Sequence, residues 1–177
     1  MKRFIWLLTA LLALPAMAQE DALVDLPGYV DFGELGDIYG EPKVQIALGE
    51  ALLGFVSAMA AKEEPETAEL FNKLKGVRVN VYNIDGDAGP AVEQVKRVAT
   101  MLSGAAWSPI VRVNEEGQQV QIFLKMTGEN VEGLTLMAVD GEEAVFINVI
   151  GDINPEDLGK VVENFDVDLG GVEMDTK

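Results

Sequence analysis

The sequence predicts an α+β fold, a two-layer sandwich in which a mostly antiparallel sheet carries helices packed on one face. Three observations support this prediction. Valine-rich segments with alternating polarity crowd the second half of the chain and are joined by short turns, which favours antiparallel neighbours. Four other segments have apolar residues at helical spacing. The chain has 177 residues, 49% of them hydrophobic, which is enough for one domain with a sizeable core.

The N-terminus has the three-part layout of a secretory signal peptide. Two basic residues precede an uncharged apolar run, and Ala16 and Ala18 are small residues of the kind that a signal peptidase accepts. We therefore expect cleavage between Ala18 and Gln19. The apolar run is about eleven residues long, whereas a membrane-spanning helix needs ~20, so the segment is expected to be a cleaved leader and not an anchor.

The composition restricts the chemistry that the protein can perform. Removal of the leader leaves 11 basic and 30 acidic residues, a formal charge of −19, which repels nucleic acid and anionic lipid. There is no cysteine for a disulfide or a lipid anchor, and no histidine to act as a base or a metal ligand. We therefore expect a periplasmic protein that is not an enzyme, has no cofactor and neither spans a membrane nor carries a lipid.

The first half of the mature chain begins with an acidic lead-in, residues 19–42. Its glycine and proline residues predict extended structure, with a short strand at 29–32. Another short strand is predicted at 43–46. Apolar residues at helical spacing then predict a helix over 48–62, and Pro65 is expected to open a second one.

The second half is dominated by predicted strands. Alternating valines predict a half-buried strand at 77–82, and Pro90 begins a helix whose apolar residues lie on one side. Turn residues such as Asp140-Gly141 separate the next segments. These segments form a predicted four-stranded meander: 108–113, 119–125, 131–139 and 143–150.

The chain ends with a predicted helix and an acidic tail. Asn154 is expected to cap this last helix and Pro155 to occupy its first position. No internal repeat or low-complexity linker divides the chain. The predicted organisation is a signal peptide at 1–18, the lead-in at 19–42, one α+β domain at 43–163 and the tail at 164–177.

Several features of the second half are shared with a known family. They are Trp107, the strand segments around Val111 and Val120, and above all the run 143–153, which reads Glu-Ala-Val-Phe-Ile-Asn-Val-Ile-Gly-Asp-Ile and precedes Pro155. In these features the chain resembles the bacterial envelope family called domain of unknown function 4252, over roughly residues 43–163. The resemblance implies an exported single-domain protein and brings no established activity. Other members are often lipoproteins, but their lipid-accepting cysteine is missing here.

Strand alternation predicts that several basic and aromatic side chains share one sheet face. If the valines of strand 77–82 face the helices, the residues between them point the other way. The same interpretation of the other strands gives a candidate partner face formed by Arg78, Tyr82, Arg112, Phe123, Lys125 and Phe146. In so acidic a chain, this face suits an unknown envelope protein or a small anionic ligand. The alternative is that the lead-in or the tail covers it.

Acidic residues provide two further candidates. Residues 83–87 place oxygen ligands as in a calcium loop, but Ala88 and Gln94 stand where that loop needs glycine and glutamate, so a helix-capping turn explains the run better. Acid pairs could serve a hydrolase, although 30 acidic residues make such pairs uninformative.

The main hypothesis is a non-catalytic periplasmic binding or interaction module that uses the sheet face or the helix layer. The alternative is a carboxylate-dependent hydrolase, with or without a divalent cation.

Overall fold

The fold is given by a computed structural model that describes residues 22–115 and 118–154. The helices in this part are α1 (Leu35–Tyr39), α2 (Glu50–Ala60), α3 (Pro65–Lys73) and α4 (Gly89–Ser103). The strands are β1 (Val44–Gly49), β2 (Leu74–Asn83), β3 (Trp107–Glu115), β4 (Gln118–Thr127), β5 (Asn130–Val139) and β6 (Glu143–Ile153). The predicted leader with its Ala18–Gln19 cleavage site, the helix expected at Pro155 and the acidic tail lie outside the described residues.

One antiparallel sheet organises the described residues, with the strand order β1-β2-β6-β5-β4-β3. Strands β3 to β6 follow one another as the predicted meander, because each link is too short for anything but an antiparallel return. At the β5–β6 link, Asp140 Oδ1 accepts hydrogen bonds from the backbone N–H groups of Glu142 at 2.7 Å and Glu143 at 2.8 Å. The prediction of an α+β fold with an antiparallel sheet is confirmed.

The helices do not all lie on one face of the sheet, and this part of the prediction needs correction. Val77 and Val79 of β2 share a core cluster with Leu53 of α2 and Leu70 of α3. The residues of β2 that alternate with these valines point to the opposite face, where the cluster contains α4. Both faces therefore bury apolar residues under helices. The second apolar face is harder to detect in sequence because polar residues interrupt it.

The lead-in differs from its predicted form in two ways. Residues 29–34 belong to no strand of the sheet, and the short helix α1 follows them. Leu23, Val30, Phe32 and Leu35 are buried, so the lead-in contributes to the core. We call residues 27–32 the strap, because they cross the face of the sheet that α4 also covers.

Candidate functional site

Strand pairing places the six residues of the candidate partner face on one side of the sheet. Phe123 is joined to Arg78 by a row of directly opposed residues, with Thr135 and Asn148 between them. Opposed residues, and residues two apart on a strand, point to the same side. The neighbouring rows contain the other four members: Arg112, Phe146, Tyr82 and Lys125.

Four of these six side chains are buried inside the protein. Phe123 and Phe146 are completely buried, while Arg78 and Tyr82 are each 5% exposed. The strap and α4 pack on the same aromatic cluster, and the rings of Phe32 and Phe146 lie 5.3 Å apart. Of the two alternatives considered for this face, cover by the chain's own lead-in is therefore the arrangement found.

The remaining two members lie toward the margins of the face. Arg112 is exposed on the edge strand β3. The Nζ atom of Lys125 lies 3.4 Å from a carboxylate oxygen of Glu132 and also donates a hydrogen bond to the carbonyl of Pro27 in the strap. Lys125 therefore helps to hold the strap, and Arg112 remains accessible to solvent.

The strap is held by side chains that bind its backbone. Asn148 accepts a hydrogen bond from Val30 N at 2.9 Å and donates one to Gly28 O at 3.0 Å. Arg78 Nη1 donates to Val30 O at 2.9 Å, and Gln94 of α4 donates to Phe32 O. Buried backbone groups without a partner are costly, so these polar side chains make burial of a non-strand segment possible.

The guanidinium group of Arg78 is also enclosed by aromatic rings of the lead-in. Its Cζ atom lies 4.8 Å from the ring centroid of Tyr29 and 5.4 Å from that of Phe32. An arginine in this setting gains from cation–π contact and from the hydrogen bond to the strap. Arg78 thus stabilises the fold by holding the strap. It cannot bind an external ligand while the strap is in place.

The loop before α4 forms a turn at the start of that helix and borders a small cavity. Asp87 Oδ1 accepts a hydrogen bond from Gly89 N at 2.8 Å, which forms an Asx turn directly before α4, whose N-cap residue Ala88 has no capping side chain. A cavity of about 160 Å³ lies beside this loop, and Tyr39 lines it. The Tyr39 hydroxyl is buried and makes no hydrogen bond within the described residues, and burial together with Tyr82 raises its pKa.

A larger cleft of about 620 Å³ lies between the start of α4 and the β3–β4 end of the sheet. The side chain of Gln119 lies among its lining residues and is 5% exposed. Its Oε1 atom is buried and finds no hydrogen-bond donor in residues 22–115 and 118–154. A buried acceptor in this state costs about 1–3 kcal/mol. Sequence reasoning missed this feature, since a glutamine at a strand start looks solvent-exposed.

Helix α2 presents an unusual outer surface. Glu50 is its only charged residue, and the side away from the sheet exposes Phe55 (52%) and Met59 (46%). A groove of about 380 Å³ runs along α2 and α3, lined on the α2 side by Gly54, Ala58 and other small residues. The solvent side of a helix is normally polar, so this apolar stripe requires an explanation.

Residues 39–161, more than half of the chain, match the family described as domain of unknown function (DUF4252). The chain belongs to this family. The predicted resemblance is thereby confirmed, with boundaries a few residues from those expected. No curated protein and no solved structure matches the chain significantly.

The family match separates the strap from the residues that hold it. The strap precedes the matched DUF4252 segment, whereas Arg78, Gln94, Lys125 and Asn148 all lie within it. The described helices of this DUF4252 chain are all too short or too polar to cross a membrane. Likewise, across residues 22–115 and 118–154, acidic side chains do not converge in groups of three or more that could bind a metal ion.

Proposed function

We propose that this DUF4252 chain is an exported, non-catalytic interaction module of the periplasm, and that it binds a partner protein through α2. The observation that carries the proposal is the exposure of Phe55 and Met59 on a helix with a single charged residue. Exposed aromatic and methionine side chains that cluster on one surface are characteristic of protein interfaces. The predicted export signal supplies the periplasmic setting.

The shape of the α2 surface favours a helical partner. Phe55 and Met59 are one turn apart, so they project from the same side of α2. The groove beside them is lined by small residues of α2 and by Pro65 and Ala68 of α3. Large side chains next to a shallow groove suit an amphipathic helix that places its apolar stripe along α2.

The charge around this surface favours a basic partner. Glu69 lies in the groove itself, and Glu63 and Glu64 are exposed at the α2–α3 turn, where they outnumber the one basic residue, Lys62. A partner helix with lysine or arginine beside its apolar stripe would complement this rim. A second copy of the chain has the same acidic character and suits it less well. The proposed occupant is therefore a basic amphipathic helix of another protein.

A defined peptide tests this proposal more sharply than capture from an extract. The mature protein is titrated into a fluorescent amphipathic peptide built from leucine and lysine, and anisotropy is recorded. We expect binding that weakens about tenfold or more in the double variant Phe55→Ser/Met59→Ser, because both contacts are lost. The matched control is Met101→Ser/Ile110→Ser, which removes two equally exposed apolar residues elsewhere and should leave binding unchanged.

Three outcomes would contradict the proposal. Equal binding of a scrambled peptide with the same composition would mean that charge alone attracts it. Equal binding by Phe55→Ser/Met59→Ser would place the contact elsewhere. Sedimentation of the mature protein as a dimer, converted to a monomer by the same double variant, would identify a second copy as the occupant.

A further inference from the structure

We propose that the outer edge of β1 is a dimerisation surface, and that it pairs in antiparallel fashion with β1 of a second copy of the chain. β1 stands at one end of the strand order, and β2 is the strand that pairs with it within the described residues. In an edge strand, alternate backbone N–H and C=O groups point away from the neighbouring strand and are free to pair. The proposal concerns the backbone of a strand and is independent of the α2 surface.

The edge formed by β1 is accessible to another strand. None of its six residues is buried, and Val44 is 39% exposed. Within residues 22–115 and 118–154, no backbone hydrogen bond joins residues 44–48 to a loop or a helix. A strand edge in this state is a template on which a further strand can form hydrogen bonds.

The opposite edge of the sheet shows how such pairing is normally prevented. β3 contains Pro109, a bulge between Pro109 and Val111, and the charged residue Arg112. Proline, bulges and charged residues are common means by which an edge strand avoids other strands. β1 has none of them, since its sequence Val-Gln-Ile-Ala-Leu-Gly is uncharged and pairs with β2 in an unbroken register. Of the two edges, β1 is therefore the one that suits pairing.

One side of β1 provides apolar contacts for a second copy. Val44, Ile46 and Leu48 point to the sheet face that α2 covers, and the last two pack against its core cluster. A two-fold axis at Ile46 would place this residue opposite its counterpart, and Val44 opposite Leu48 of the second copy. The apolar side would then continue across the dimer, and the exposed part of Val44 would be buried.

The charges that flank β1 favour a second copy in the antiparallel direction. Lys43 precedes the strand, Glu50 follows it, and both are exposed. An antiparallel pair brings Lys43 of each copy to the end where Glu50 of the other lies, whereas a parallel pair would bring like charges together. The chain as a whole is acidic, but β1 itself carries no charge, and physiological salt screens exposed charges more than ~8 Å apart.

The experiment combines sedimentation velocity with hydrogen exchange on the mature protein. Two six-residue strands form a small interface, so we expect a reversible dimer with a dissociation constant on the order of 10 μM. Between about 1 and about 100 μM protein, amide exchange in β1 should therefore slow as the dimer forms. Amide exchange in β3, the other edge strand, should not depend on concentration and is the internal control.

Two substitutions at one position test whether the β1 edge forms the interface. Val44→Lys should raise the dissociation constant of the dimer about tenfold or more, because a lysine on an edge strand opposes pairing and would here face an apolar residue. Val44→Thr is the matched control and should retain the dimer, since threonine is uncharged and favours strands. Val44 is partly exposed, so both variants should fold, and thermal melts check this.

A dimer that is weakened in Val44→Lys and retained in Val44→Thr would support the proposal. Equal dimerisation of the two variants would overturn it, as would a dimer without concentration-dependent protection of β1. A monomer at every concentration would also overturn it, and slow exchange throughout β1 in that monomer would show that the chain covers its own edge. Dissociation of the dimer by Phe55→Ser/Met59→Ser would place the second copy on α2 instead.

Discussion

Asn148 and Arg78 lie directly opposite each other on β6 and β2, and both bind the backbone of Val30. Asn148 accepts from Val30 N at 2.9 Å, and Arg78 donates to Val30 O at the same distance. These two side chains thus satisfy the backbone N–H and C=O groups of Val30, which belongs to no strand of the sheet. The strap is attached to the sheet face at this point, which is why the predicted partner face is not open.

Replacement of Asn148 by alanine should destabilise the protein strongly. The change leaves Val30 N, Gly28 O and Leu134 O without the hydrogen bonds that Asn148 now makes. We expect a loss of about 2–4 kcal/mol in the free energy of unfolding, measured by urea denaturation. Asn114→Ala, at an exposed position of β3, is the control and should change stability by less than ~0.5 kcal/mol. A similar small effect in Asn148→Ala would mean that the strap needs no side-chain partner.

Gly28 should not tolerate alanine, because the strap touches β5 at this residue. A Cβ atom on Gly28 would lie 2.2 Å from the carbonyl oxygen of Glu132, which forces the strap away from the sheet. We expect destabilisation of about 3 kcal/mol or more, with faster hydrogen exchange at Val30 N.

Gly36 provides the matched control for that substitution. It lies in α1, and a Cβ atom there meets nothing within 4 Å. Gly36→Ala should therefore stabilise the protein by about 0.4–1 kcal/mol, since it restricts the unfolded chain. Equal stability of the two variants would contradict the close approach of Gly28 to the carbonyl oxygen of Glu132.

The elements that sequence predicted well are those specified by neighbouring residues. The meander follows from alternation within each strand and from local turn residues such as Asp140. The cover of the two faces could not be derived in this way. Strand β4 has Ile122 on one side and Phe123 on the other, both buried, so alternation alone does not tell which face a given helix covers.

The strap and the cleft were unpredictable for a related reason. Val30 and Asn148 are 118 positions apart in sequence, and no local pattern announces their hydrogen bond. The six residues of the candidate partner face lie on one side of the sheet, because the period of a strand places them there. Their burial depends on the packing of residues 23–35, whose apolar residues are interspersed with glycine, proline and acidic residues, so the sequence does not tell which part of the fold they cover. The unpaired oxygen of Gln119 is likewise a property of the folded packing alone.

Two phenylalanines of the first half of the chain, Phe32 and Phe55, should respond differently to truncation. Phe32 is 1% exposed within the aromatic cluster, whereas Phe55 is 52% exposed on α2. Phe32→Ala should cost about 3–5 kcal/mol, because it creates a cavity in the core. Phe55→Ala should change the free energy of unfolding by no more than ~0.5 kcal/mol, as for a surface site. Urea denaturation measures both. A large effect of Phe55→Ala would assign that residue to folding and weaken the case for an α2 interface.

Tyr39 should make stability depend on pH in the alkaline range. Burial, with a smaller contribution from Tyr82, raises the pKa of Tyr39 above its ordinary value of 10.0. The folded state therefore keeps the Tyr39 proton at a pH where the unfolded chain loses it. The contribution of Tyr39 to the free energy of unfolding is thus complete below pH 10 and declines as the pH rises further.

Tyr39→Phe removes both the titration and a buried hydroxyl without a partner in the described ranges, and should be neutral or slightly stabilising at pH 7. Thermal melts at several pH values check this, with a smaller decline above pH 10 expected for Tyr39→Phe. An identical decline in both proteins would show that Tyr39 ionises as freely in the folded state as in the unfolded chain.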